Sequence, residues 1–183
     1  NGLRDGLPGA ALAPHWTELQ AALRRLRMAS ADWLAHTEGL AFEPIATVYA
    51  WHQGPAGPHV LPQPMTALWP SAQHPGQFVF DRSWLGGPTG LLAFVVSASV
   101  GERDALQARV LQQAAKQLGL TGLQPIQTVV EKRATFACTP GLVRPASHIA
   151  HGLWAVADFV DGPYPATLEG AVRCGLAAGA QTD

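Results

Sequence analysis

"GLWAVADFVDGPYPATLEGAVRCG", Gly152 to Gly175, is the stretch on which the fold reading turns. Its first half reads as a buried strand, Leu153 to Ala157, ending in Asp158. A short loop follows, and the second half reads as a helix opening near Pro165 or Ala166. Proline suits the first helical turn, because the N–H it lacks has no intrahelical partner there. Thr167, Leu168 and Glu169 would then present unpaired backbone N–H groups at the positive end of the helix. Such an end accepts an anion or a polarised oxygen. A plain surface helix, with Glu169 complementing the dipole, explains the same residues. Gly170, Ala171 and Gly175 keep one side small enough for close packing.

Upstream, the pattern is different. "EPIATVYAW" alternates as a strand, with Ile45, Thr47 and Tyr49 on one face and Ala46, Val48 and Ala50 on the other. "MTALW" and "GQFVFDR" are short strands, and "LLAFVVSAS" is apolar on both faces and therefore central. "GERDALQARVLQQAAKQLGL" carries Leu106, Val110, Ala114 and Leu118 along one helical stripe, with Gly119 as its C-cap. "PIQTVVEKRATFA" is a long strand, and "HQGPAGPHVLPQP" is loop by its prolines and glycines. Near the start, Trp16, Leu19, Leu23 and Leu26 give helical spacing within residues 14–37. Strands with few helices between them predict an α+β domain: a mixed or antiparallel sheet with flanking helices. The closing strand–turn–helix instead resembles a piece of an α/β nucleotide-binding layer.

The bulk composition narrows the function. The chain has 183 residues, 48% hydrophobic and 14% charged, with net charge −1. A near-neutral chain without a basic stripe is not built to bind nucleic acid. The longest apolar run, Leu91 to Val96, is too short to span a bilayer, and the opening residues lack the order of a signal peptide. The chain opens on Asn1 rather than methionine, which fits a piece of a longer protein. Cys138 and Cys174 make no disulfide framework, so buried free thiols and a cytoplasmic setting are expected. Among seven histidines, His148 and His151 stand at i, i+3, and His52 and His59 share a loop. No cysteine or carboxylate spacing completes a metal site around either pair, so no metal is expected. No G-x-S-x-G nucleophile motif occurs.

The unit "GLWAVAD…YPATLEGAVRCG" resembles the C-terminal flavin-contacting signature of the flavin amine oxidase and phytoene desaturase superfamily. "EPIATVY", "LPQPMTAL", "GQFVFDR", "LLAFVVSAS" and "EKRATFACTPGLVRP" resemble, in that order, its squalene-associated branch of hydroxysqualene dehydroxylase type. The resemblance runs from Phe42 to Ala178. It departs from the family pattern at Ala157, where the family has glycine, at Asp161-Gly162-Pro163 in the loop, and at Cys174, where the family has serine. The family's strand–GxGxxG–helix fingerprint is missing: "GLRDGLPG" has the wrong spacing, and "GGPTG" precedes a strand. The resemblance therefore implies the C-terminal part of an FAD-dependent oxidoreductase. Residues 1–150 would belong to the substrate-side domain, and 151–183 would be the strand and helix that return to the FAD-binding domain.

The resemblance also implies roles for residues. Asp158 would sit near the FAD ribityl and pyrophosphate. Ala166, Thr167 and Leu168 would form the helix start whose N–H faces the flavin, and Tyr164 would pack beside the ring. Lys132 or Arg133, with Phe136, would border the substrate cavity; a solvated strand edge explains the same charges. Strict alternation places Lys132 and Phe136 on one face and Arg133 on the other. Trp51, Leu68, Trp69, Phe78, Phe80, Trp84 and Phe94 would help line a long apolar cavity, or simply form core. No catalytic residue is assigned, and Asp81-Arg82 reads as a structural ion pair or a turn.

The implied chemistry is flavin hydride transfer on an isoprenoid, hydroxysqualene on the way to squalene and hopanoids, or a phytoene-like chain. The expected partners are that substrate, the missing N-terminal dinucleotide-binding portion and, peripherally, a membrane. An exposed apolar docking face would favour self-association. By itself the chain is expected to hold FAD weakly or not at all and to be inactive. Two alternatives stand beside this: a free-standing, non-enzymatic α+β domain that binds a hydrophobic ligand or partner, and another flavin amine oxidase branch.

Overall fold

A computed structural model of the chain describes residues 21, 24, 25, 27, 30–54 and 57–181. It is a mixed α+β fold. The chain divides into two compact units, one of Ala41–Ala137 and one of Asn1–Leu40 with Cys138–Asp183. The sequence-based boundary at 150/151 falls inside the second of these. Trp16, Leu19, Leu23 and Leu26 lie outside the described residues.

The first unit is a sheet backed by a helix. Its strands are β1 (Phe42–Trp51), β2 (Met65–Ala67), β3 (Phe78–Asp81), β4 (Leu91–Ser97) and β5 (Gln124–Phe136). They pair antiparallel throughout in the order β2-β3-β4-β1-β5, so the doubly apolar β4 is indeed central. Alternation sorts the faces. Ala46, Val48 and Ala50 of β1 are fully buried, in one cluster with Val79 of β3 and Leu92, Phe94 and Val96 of β4. Helix α2 (Arg103–Leu118) closes that face with Leu106, Val110 and Ala114. It ends on Gly119 in the left-handed region, φ 70°, as its C-cap reading required. Burying a side chain of this size contributes about 1.5–3 kcal/mol, so this face holds most of the unit's stability.

The opposite face of the sheet is not covered by α2. Phe78, Val95, Thr47 and Val129 form one cross-strand row along it. Met65, Phe80, Ala93, Tyr49 and Gln127 form the next. Met65, Phe78 and Val129 are exposed there.

β5 does not alternate strictly. Glu43 faces Thr135 and Ile45 faces Glu131, so Lys132, Arg133 and Ala134 stand against the single residue Pro44. Proline has no N–H for the ladder, and the longer strand bulges where that bond is missing. The register shift interrupts the strict alternation expected at Lys132 and Arg133.

The second unit holds α1 (Ala31–Glu38), a small hairpin of β6 (His148–Ala150) and β7 (Leu153–Trp154), and α3 (Leu168–Gly179). Trp33 of α1 donates its indole N–H to the Ala146 carbonyl at 2.8 Å and meets Phe159 edge-on at 6.4 Å. Two expectations fail in this unit. The strand stops at Trp154 instead of running buried to Ala157, and Leu153 and Val156 are exposed. The helix begins at Leu168, not at Pro165 or Ala166. Tyr164 and Ala166 both take φ 57°, a left-handed conformation that no helix start tolerates. Both cysteines are free thiols, but Cys138 is exposed and Cys174 half-buried. No helix among the described residues is long and apolar enough to cross a membrane.

Candidate functional site

The segment from Ala155 to Thr167 leaves β7, turns, and delivers the chain to the start of α3. Arg144 holds its middle. The guanidinium donates to the Val160 carbonyl at 2.7 Å and to the Gly162 carbonyl at 2.5 Å, and pairs with Asp161 at 3.2 Å. Arginine's fixed fork of donors suits three acceptors on one loop. The sequence signal for Arg144 was only its place in "TPGLVRP", and nothing there pointed to a loop 16 residues on.

The helix start is built by Thr167. Its hydroxyl accepts from the Gly170 N–H at 3.0 Å and donates to the Tyr164 carbonyl at 2.6 Å. Thr167 is thus the N-cap, and the backbone N–H groups left open are those of Leu168 and Glu169. Gly170 is required by contact, because a Cβ there would collide with the Tyr164 carbonyl oxygen. Glu169 pairs with Arg173 at 2.6 Å across one helical turn, and both are exposed. The Arg173 guanidinium also lies 5.0 Å from the centre of the Tyr164 ring.

Beneath this start lies a cavity of about 450 Å³, walled by Ser147, Trp154, Asp158, Gly170, Arg173 and Cys174 among others. Asp158 is half-buried on the wall, and its carboxylate has no hydrogen bond or ion pair among the described residues. Its backbone carbonyl accepts from the Ala166 N–H at 3.4 Å, which closes the loop onto itself. The Cys174 thiol sits 3.9 Å from the Ser147 hydroxyl and 3.7 Å from the Ala155 carbonyl. Of the residues expected at a cofactor, Asp158 lines the cavity and Thr167 caps the helix above it. Ala166 is half-buried in the turn, Tyr164 is exposed and stacked on Arg173, and Leu168 points away at 88% exposure. Lys132, Arg133 and Phe136 belong to the sheet unit. Lys132 and Arg133 are exposed, Arg133 lies 4.0 Å over the Phe42 ring, and Phe136 is buried.

A second constellation escaped the sequence reading. Asp81 is fully buried at the end of β3. Its carboxylate accepts from the Val60, Leu61 and Ser83 N–H groups and, at 2.6 Å, from the Ser83 hydroxyl. Ser83 in turn meets His59 Nδ1 at 2.8 Å, and the imidazole stacks on Trp84 at 3.7 Å. Because the Ser83 proton is given to Asp81, His59 donates to the Ser83 oxygen from Nδ1. Burial pushes the Asp81 pKa up, but the Ser83 hydroxyl and the three backbone N–H groups outweigh it and hold the carboxyl below its ordinary value of 3.8. Asp81 is therefore the cap of the turn Arg82–Leu85, the turn option of the sequence reading. Among the described residues, no group of three or more His, Cys, Asp and Glu is placed to hold a metal ion.

No family model matches the chain. A hydroxysqualene dehydroxylase of Rhodopseudomonas palustris is similar to part of it. The two are 39% identical over 77 residues, which are 40% of this chain and 18% of that dehydroxylase. The similarity is thus to a short portion of a much longer protein.

Proposed function

We propose that this chain is the C-terminal portion of an FAD-dependent oxidoreductase that acts on an isoprenoid, with hydroxysqualene or a phytoene-like chain as substrate. The observation that carries the reading is the 39% identity to a hydroxysqualene dehydroxylase. The second unit fits one edge of such a cofactor. The half-buried, unpartnered Asp158 would accept from ribityl or pyrophosphate-side hydroxyls. The Leu168 and Glu169 N–H groups, left open by the Thr167 cap, would donate to the anionic or carbonyl edge. Tyr164, beside Arg173, would supply a ring at the cavity mouth. These residues would orient a bound flavin and favour its negative charge, and such a cofactor would supply hydride chemistry at this site.

The remaining parts of the reading follow from exposed apolar surface. The uncovered sheet face, with Phe78, Val129 and Met65, suits the wall of an apolar substrate cavity. Lys132 or Arg133 would border it. Leu168, Val172 and Leu176 form an exposed stripe at i, i+4 and i+8 on α3. That stripe suits the N-terminal dinucleotide-binding portion and would otherwise drive self-association. A substrate that partitions into lipid makes peripheral membrane contact part of the proposal.

The test begins upstream of the Asn1 codon. A reading frame that carries a strand–GxGxxG–helix should yield a longer protein that binds FAD and converts hydroxysqualene when supplied with a reductant. Asp158→Ala in that protein should weaken flavin binding about tenfold, the worth of one hydrogen bond to a charged group, and Thr167→Val should weaken it by loosening the cap that positions the Leu168 and Glu169 N–H groups. A longer protein that binds no flavin with both residues intact overturns the proposal. The open sheet face favours the second reading, a hydrophobic-ligand domain without catalysis, and a reading frame that begins at Asn1 would select it.

A further inference from the structure

The sheet unit contains a cavity with several polar groups on its wall. It measures about 290 Å³ and lies where the β4–α2 turn, residues 98–102, meets the loop between β2 and β3. Its polar wall is Ser71, Gln77, Ser97, Ser99 and Arg109.

Arg109 is held but not neutralised. Its Nη1 donates to the Ala72 carbonyl at 2.9 Å and its Nε to the Ala105 carbonyl at 3.4 Å. Nη2 has no partner among the described residues, and no carboxylate there pairs with Arg109. The exposed Glu102 and Asp104 stand close in sequence yet make no bond to it. A Cβ built on Gly101 would lie 3.8 Å from Nη2, so the free end of the guanidinium reaches the β4–α2 turn.

Ser99 is the second, independent feature. It is 8% exposed, and its N–H is spent on the Pro44 carbonyl at 3.0 Å. Its hydroxyl has no hydrogen bond among the described residues and stays accessible on the cavity wall. Ser71 approaches from the opposite wall. Its oxygen already accepts from the His74 N–H at 3.1 Å, so its own proton is left to give.

We propose that this cavity binds the oxyanion of a phosphomonoester or phosphodiester. The donors come from three elements, Ser71 from the loop, Ser99 from the turn and Arg109 from the helix, and all three lie on the wall of one cavity. The positive charge that would balance it is present and unspent. The same chemistry is offered by soluble phosphate and by a phospholipid headgroup. The exposed rim favours the headgroup: Val100 is 77% exposed, and Trp69, next to Pro70 of the wall, is 85% exposed. The backbone of Trp69 is clamped by Gln117 and Gln113, so the indole is presented on a fixed base. Tryptophan beside a headgroup site is the pattern of an interfacial anchor.

The experiment is a titration of the whole chain with inorganic phosphate by calorimetry, beside sedimentation with phosphatidylglycerol and with phosphatidylcholine vesicles. Saturable phosphate binding is expected, weakened about tenfold in Arg109→Gln and in Ser99→Ala, the loss of one charge-assisted or buried hydrogen bond. Lys116→Gln removes the same charge from the same helix without touching the cavity and should bind as the unmodified chain does. Sedimentation with phosphatidylglycerol that Arg109→Gln abolishes identifies the headgroup as the source; phosphate binding without sedimentation identifies a soluble phosphate. Absence of binding to both phosphate and vesicles overturns the proposal, as does equal weakening by Lys116→Gln and Arg109→Gln. Where circular dichroism shows Arg109→Gln to be misfolded, Ser99→Ala decides alone.

Discussion

At the residue scale, a few side chains do work that their neighbours cannot replace. Asp81 satisfies four donors at once, and each donor left behind in a buried site costs about 1–3 kcal/mol. Asp81→Asn keeps the shape but turns half of the acceptor into a donor, so chemical denaturation should show a loss of about 1–3 kcal/mol. The pH dependence has a definite sign. The folded pKa lies below the ordinary 3.8, so the stabilisation is complete above that value. It is lost as pH falls from there through the lowered folded pKa. Acid titration of stability should therefore show a limb below the ordinary carboxylate range that is absent in Asp81→Asn. Gly170 gives a purely steric case. Gly170→Ala forces its methyl into the Tyr164 carbonyl, and urea midpoints should fall by an amount matching about 1–3 kcal/mol of overpacking.

At the element scale, caps and latches decide where structure begins and ends. Thr167→Ala removes the hydroxyl that satisfies the Gly170 N–H and should cost about 1 kcal/mol in thermal unfolding. It should also fray the first turn of α3, visible as faster amide exchange at Gly170. α2 works differently, through a buried polar residue. Gln113 is fully buried on its inward face; its Oε1 accepts from the Gly76 N–H at 2.7 Å, and its Nε2 donates to the Gly76 carbonyl at 2.9 Å. Gln113→Leu preserves apolar volume but strands both backbone groups. Hydrogen exchange should rise across residues 69–77 while β1 and β4 stay protected. A uniform rise across the sheet would show that the loop is not separately latched.

At the scale of the whole molecule, uncovered apolar surface is the dominant feature. Leu168, Val172 and Leu176 on α3 are 88%, 59% and 72% exposed, more than a lone domain usually leaves in a row. The isolated chain should associate with itself in sedimentation velocity runs, and Val172→Glu should shift it toward the monomer. If the stripe is instead solvated harmlessly, the two proteins will sediment alike. That result would remove the argument for a docking portion on this face.

What could be read from the sequence follows from what is periodic. The alternation of β1, the two-faced apolarity of β4 and the stripe of α2 each report a local choice that burial then enforced. Asp158 and Thr167 were singled out through motif resemblance, and the structure puts the first on a cavity wall and the second at the cap of α3. The tertiary structure decided what depends on partners far along the chain. It moved the start of α3 to Leu168, because Tyr164 and Ala166 take left-handed turns that Arg144 and the Thr167 cap help to close. It bulged β5 opposite Pro44, because a missing N–H acts on the neighbouring strand and not on its own. It joined His59 to Asp81 through Ser83, and Arg109 to the wall of Ser99, across separations that carry no period. Local pattern thus determined which elements form, and long-range hydrogen bonding determined where they stop and which side chains meet.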